Sequence, residues 1–78
     1  MDAARELDQV VLIDDLPEHA LVSGDVGTVV HAHRDGAGFE VEFVTLTGDT
    51  VAVVSLAADR IRAVDSHDIS HARQVTGT

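Results

Sequence analysis

The stretch GDVGTVV, residues 24–30, decides how the fold of this chain is interpreted. Two glycines stand three positions apart, and a threonine and two valines follow the second one. A phosphate-binding loop would continue into a helix and would usually carry a lysine, whereas Thr28, Val29 and Val30 favour a strand. Glycine adopts backbone angles that other residues avoid and permits close backbone approach. We therefore interpret the stretch as a turn that leads into a strand.

Five short apolar segments separated by turn residues run along the chain. We predict strands at residues 9–15, 26–33, 39–46, 51–56 and 61–64, with one helical turn at 57–60. Short strands, tight turns and a helical turn before the last strand are typical of a small SH3-like barrel. The prediction is an all-β, five-stranded SH3-like barrel at residues 9–64, with an N-terminal extension at 1–8 and a loose or weakly helical tail at 65–78.

Tight turns fix the predicted register of the central strands. We assign structural turn roles to Gly24, Asp25, Gly27, Gly36 and Gly48. Two-residue turns centred on 36–37 and 48–49 pair residue 31 with 42, 33 with 40, 29 with 44, and 44 with 53. The face predicted to form the core then carries Val30, Ala32, Phe39, Val41, Phe43, Ala52, Val54 and Leu56.

The first half of the opposite face is polar. The predicted register places His31 opposite Glu42 and His33 opposite Glu40. Imidazole and carboxylate groups are ligands that zinc accepts without cysteine, so these four residues are candidate metal ligands. The alternative is two charge-assisted surface contacts, and we favour that alternative, with no metal or other cofactor.

The second half of the opposite face is apolar. It carries five branched side chains, namely Val29, Val44, Leu46, Val51 and Val53. An outward patch of this size is unusual on a freely solvated sheet. Three explanations stay open at this point: cover from within the chain, a homodimer, or a different protein partner.

Composition narrows the classes of function. The chain has 78 residues and no cysteine, so a disulfide framework and a thiolate metal site are excluded. Its longest apolar runs are too short to span a membrane, and its charged N-terminus does not resemble a signal peptide, so we expect a cytoplasmic protein. Fourteen acidic residues against five basic ones give a formal charge of −9, which repels nucleic-acid phosphates. Three explanations of this acidity stay open: a high-salt host, coding bias, or a basic ligand.

A family resemblance extends over residues 15–62. These residues contain Leu-Pro, then L-x-x-G-D-x-G-T-V-V, an Asp-Gly turn, the strand Glu-Val-Glu-Phe, and A-D-x-I-R after the fourth strand. The ordered motifs resemble the small prokaryotic family known as domain of unknown function 4926. The resemblance implies an SH3-like barrel and leaves the function open.

Three functional hypotheses remain from the sequence. The leading one is a non-enzymatic interaction module that binds a protein partner or itself through the exposed sheet face. A KOW-like RNA-binding barrel is the second, because Gly24, Gly27 and Val29 match the spacing G-x-x-G-x-V, although basic and aromatic neighbours are missing. A metal-binding protein that uses surface histidines is the third.

Overall fold

The computed structural model describes residues 4–75 and is all-β. Its strands are β1 (Gln9–Leu12), β2 (Val26–Ala32), β3 (Gly38–Val44), β4 (Thr50–Ala57) and β5 (Ile61–Ala63). They form one antiparallel sheet in the spatial order β4-β3-β2-β1-β5. Two 3₁₀ turns, Pro17–His19 and Ala58–Arg60, complete the secondary structure of the described residues, and the second is the predicted helical turn. Residues 1–3 of the predicted extension and 76–78 of the predicted tail lie outside the described part.

A single apolar core joins all five strands. Its buried members are Val10, Leu12, Leu16, Leu21, Val29, Phe39, Val41, Phe43, Val54, Leu56 and Ile61. Leu16 and Leu21 come from the connection between β1 and β2, where their main chains are hydrogen-bonded to each other around the Pro17 turn. The predicted all-β fold with five strands is confirmed, and the sheet is not closed, since β4 and β5 form its two edges.

The register between β2 and β3 differs from the predicted one. His31 lies opposite Glu40 instead of Glu42, and Val29 lies opposite Val41. The predicted two-residue turn is wrong, because the His33 amide donates to the Gly38 carbonyl and leaves residues 34–37 as the loop. The ladder therefore shifts by two residues at this end of the hairpin.

A bulge in β2 reverses the predicted facing of two valines. The pairing shifts between Val29 and His31, so Val30 is an extra residue without a partner on β3. As a result Val29 is fully buried in the core, whereas Val30 is 41% exposed. The prediction that Val30 faces the core and Val29 faces outward is wrong, because strict alternation fails where a strand gains a residue.

The register between β3 and β4 also differs from the predicted one by two residues, but most side chains stay on the predicted side of the sheet. Phe43 lies opposite Ala52, and Glu42 lies opposite Val53 rather than Ser55. A shift by an even number leaves each side chain on the same side of the sheet. The pairing changes after Phe43, where Val44 meets Thr50 and leaves Val51 between two pairs. Val51 is accordingly partly buried against the core, although the predicted register places it outward.

Gly27 allows β2 to pack closely against β3. A Cβ atom at this position would lie 2.5 Å from Val41 Cγ1 and 3.0 Å from the main-chain oxygen of Glu42. Gly38, also on a strand, is less restricted, because the nearest atom to its Cβ would be Nδ1 of His33, at 2.9 Å. The His33 side chain is exposed and can rotate away, whereas Val41 is held in the core.

The segments before β1 and after β5 both form hydrogen bonds with β2 or with the connection that precedes it. The Leu7 amide donates to the carbonyl of Val29, and the Val29 amide donates to Asp8. On the other side, residues 64–75 form neither helix nor strand. Arg73 nevertheless donates from Nε to Oδ1 of Asp25 at 2.9 Å and from its terminal nitrogen to the carbonyl of Ala20.

The contact between Arg73 and Asp25 lowers the pKa of the carboxyl group. Partial burial alone would raise it, but hydrogen bonds from Arg73 and from the Val22 amide outweigh burial. A depressed pKa in the folded protein means that the contact stabilises the fold above the ordinary aspartate pKa of 3.8. That stabilisation is lost as the pH falls through the pKa of the folded state.

We expect Gly27→Ala to destabilise the protein through overpacking, by about 1–3 kcal/mol. Gly38→Ala is the matched control, because both variants lose the same conformational entropy in the unfolded state and only the packing differs. Its cost should be smaller, since His33 can move. Urea unfolding of the three proteins measures both values, and equal losses would contradict the assignment of Gly27 as the close contact.

We expect Arg73→Gln to lower the free energy of unfolding by about 1 kcal/mol at neutral pH, the size typical of a charge-assisted contact that is partly covered. The difference from wild type should shrink as the pH falls below 3.8. Arg34→Gln is the control, because Arg34 has no ion pair among residues 4–75. Thermal unfolding between pH 7 and pH 3 tests this, and a difference that does not depend on pH would contradict it.

Candidate functional site

The outward side of the hairpin formed by β3 and β4 carries both polar and apolar side chains. We call this surface the outer face and define it by Glu40, Glu42, Val44, Val53 and Ser55. Glu40 pairs with Ser55 and Glu42 with Val53, so each pair points to the same side of the sheet. The core residues of the same strands alternate with them and point to the other side.

Glu40 is the centre of the polar half of the outer face. The Ser55 hydroxyl donates to both of its carboxylate oxygens, at 2.7 and 2.6 Å, and His33 Nε2 lies 2.9 Å from Oε2. His31 is the cross-strand neighbour of Glu40, and its ring centre lies 5.7 Å from that of His33. The hydroxyl of Ser55 and then the ring of His33 lower the pKa of Glu40, because both stabilise its charged form.

The order of these contacts differs from that of a nucleophilic triad. In a triad, histidine lies between serine and the acid and accepts the serine proton. Here the carboxylate lies between the serine and the histidine, so the Ser55 hydroxyl donates to Glu40 and not to a histidine. The arrangement links the surfaces of two strands, and its order is not that of a triad.

Of the four candidate metal ligands, His33 and Glu40 are in contact as predicted, whereas His31 and Glu42 are not opposite each other. His31 faces Glu40, and its Nδ1 lies 3.8 Å from Glu6. Glu42 lies opposite Thr28 instead and accepts a hydrogen bond from the hydroxyl of Thr50 at 2.9 Å. Among residues 4–75, no group of three or more histidine and acidic side chains has the geometry to hold a metal ion.

The apolar half of the outer face is smaller than the sequence predicts. Val44 is 45% exposed and Val53 is 53% exposed, while Leu46, in the following turn, is 93% exposed. Val29 and Val51 of the predicted patch lie on the core side, because a bulge in β2 and another in β4 change the direction of their side chains. Three branched side chains thus remain on the surface, next to the carboxylates of the same face.

A feature that the sequence analysis missed lies beside this face. β4 is eight residues long, pairs only with β3 among residues 4–75, and forms an edge of the sheet. The five-strand pattern alone does not say which strand is at the edge. The predicted barrel did contain a signal for this edge. In such a barrel the last strand pairs with the first, as β5 pairs with β1 here, and the fourth strand is then left with the third as its one neighbour.

The turn residues hold the ends of the strands. Gly24, Gly36 and Gly48 have positive φ angles of 96°, 69° and 96°, which side-chain-bearing residues rarely adopt. Asp25 accepts a hydrogen bond from the Val22 amide and so closes the turn that precedes β2. These positions shape the scaffold and present no group to the outer face.

Most of the arginine charge is already neutralised within the molecule. Arg60 donates to Asp14 at 2.8 Å, Arg62 to Asp68 at 2.7 Å, and Arg73 to Asp25. The hydrogen bonds from Arg62 lower the pKa of Asp68 to about 2. Arg5 and Arg34 are the two arginines without an ion pair among the described residues, so the remaining surface charge is dominated by carboxylates.

These features define a class: a small acidic all-β domain with an open five-stranded sheet, a free strand edge and a mixed outer face. The chain matches the family model of Domain of unknown function (DUF4926) over residues 6–63, which include all five strands. It belongs to that family, as the motifs in its sequence indicate. No curated protein matches the chain, and no solved structure does. None of the helical segments in residues 4–75 is long and apolar enough to cross a membrane.

We expect Ser55→Ala to raise the pKa of Glu40 toward its ordinary value, because it removes the hydroxyl that stabilises the carboxylate most. His33→Ala should raise it as well, since the histidine stabilises the carboxylate through its hydrogen bond and through its charge. Carbon-detected NMR titration of the Glu40 carboxyl group measures both shifts. Asp68 is the internal reference, because neither substitution touches its contact with Arg62 in the segment after β5. A Glu40 pKa that stays at its wild-type position in either variant would contradict this prediction.

Proposed function

We propose that this protein is a non-enzymatic interaction module that binds another protein through its outer face. The observation that carries the proposal is the exposure of Val44, Leu46 and Val53 beside an unpaired strand edge. Apolar side chains that are grouped and rimmed by polar residues mark contact surfaces between proteins. The polar contacts of Glu40 give this surface a fixed shape, which lowers the entropy lost on binding.

Electrostatics favours a protein partner over a nucleic acid. The formal charge is −9, and three of the five arginines are already bound to carboxylates of the same chain. A nucleic-acid surface needs basic side chains that are free to neutralise phosphates. An acidic protein instead attracts basic partners and associates with them faster.

We expect the double variant Leu46→Ser, Val53→Thr to lose partner binding while it keeps the fold. Each substitution removes apolar surface that an interface would bury, and together they should weaken binding at least about tenfold. Ile69→Ser is the matched control, because Ile69 is 90% exposed but lies in the segment after β5.

Affinity capture from the source organism, followed by titration of the captured protein, measures the effect. Light scattering of the free protein tests self-association at the same surface. Equal binding by the double variant and the control, with both proteins monomeric, would overturn the proposal.

A further inference from the structure

The main-chain hydrogen bonds of β4 fix which of its groups face outward. The Ala58 amide donates to the carbonyl of Ala37, so this pair is a hydrogen-bonded one. Hydrogen-bonded pairs recur at every second residue of an antiparallel ladder. In the register of β3 and β4, residues 52, 54 and 56 therefore bond to β3. The amide groups of Val53, Ser55 and Ala57 point away from the sheet.

These three amides have no main-chain partner within residues 4–75. The strand that carries them, TVAVVSLA, contains no proline and no charged residue. Proteins usually protect an edge strand of this length with lysine, proline, a bulge or a covering segment. The bulge of β4 lies at Val51, before the edge amides, and residues 52–57 keep a regular register with β3. The opposite edge, β5, is only three residues long. The edge of β4 is thus the place where a further strand can pair with this sheet.

The negative charge around the edge of β4 determines which kind of added strand it attracts. Asp49 precedes β4 and Asp59 follows it, while Glu40 and Glu42 lie on the outer face one strand away. A second copy would be repelled, because symmetric pairing of two β4 strands brings both sets of glutamates onto one side of a joined sheet, and each copy carries a formal charge of −9. A basic segment would be attracted by the same groups.

We propose that the edge of β4 binds an extended basic segment of the partner, which adds to the sheet as a sixth strand. This inference rests on the proposed function and specifies its partner. Main-chain hydrogen bonds to Val53, Ser55 and Ala57 provide affinity, as in other cases of strand addition. Side chains on one side of the segment meet the outer face, where lysine or arginine approaches Glu40 and Glu42 and aliphatic groups pack on Val53.

Ala57→Pro removes one of the three edge donors without disturbing the sheet. The φ angle of Ala57 is −66°, which proline adopts without strain, and the preceding residue is extended, as proline requires. Its side chain is exposed, and its amide does not bond to β3. Ala57→Ser is the matched control, because it keeps the amide. Thermal unfolding shows that both variants are folded before binding is measured.

The probe is a nine-residue peptide of alternating lysine and valine with threonine at its centre, and a second peptide carries glutamate in place of lysine. We expect the lysine peptide to slow hydrogen exchange at Val53, Ser55 and Ala57 at least tenfold. The amides of residues 52, 54 and 56 should be slow already in the free protein. Ala57→Pro should weaken binding about tenfold, and Ala57→Ser should bind like wild type.

Three results would overturn strand addition by a basic segment: unchanged exchange at the three amides at saturating peptide, equal binding of the glutamate peptide, or full binding by Ala57→Pro. Protection that grows with protein concentration in the absence of peptide would overturn it too, in favour of a second copy. If Ala57→Pro still binds the captured partner while the Leu46→Ser, Val53→Thr variant does not, the interaction module stands and only the edge is wrong.

Discussion

The close approach of β2 to β3 is the contact on which the rest of the structure depends. Because Gly27 has no side chain, Val41 and Phe43 occupy the space beside it and fill the core. Further along β2, the extra residue Val30 turns both Val29 and Ala32 toward the same core. The outer face results from the same packing. Side chains of β3 alternate between the core and the surface, so its two glutamates point outward.

Ion pairs and hydrogen bonds then attach the less regular segments to this sheet. Arg60, Arg62 and Arg73 each contact a carboxylate in a connection or in the segment after β5. Such contacts are individually weak at a surface, and they fix geometry more than they add stability. Their second effect is electrostatic, because each arginine used in this way leaves fewer positive charges to balance the carboxylates near β4. The net charge of −9 comes from composition, and the internal pairing determines where on the surface the unpaired carboxylates lie.

The fold could be predicted from the sequence because its signals are local. Alternation in FEVEFV and the turn residues around it identify β3 and β4 and their core side, and an even shift in register leaves these assignments intact. The facing of Val29 and Val51 could not be predicted, because a bulge depends on packing against the neighbouring strand and has no local signal in either stretch. The contact of Arg73 with Asp25 joins residues 48 positions apart, and spacing along the chain does not indicate it.

The edge of β4, which has no neighbouring strand within residues 4–75, also has a consequence for the behaviour of the protein in solution. An aliphatic edge strand without lysine or proline is a template for stacking of identical chains into aggregates. Mutual repulsion between highly acidic molecules opposes this stacking at neutral pH. Acidification that protonates the carboxylates removes the repulsion and leaves the edge unchanged. The negative charge therefore protects this protein, with its open edge strand, against aggregation.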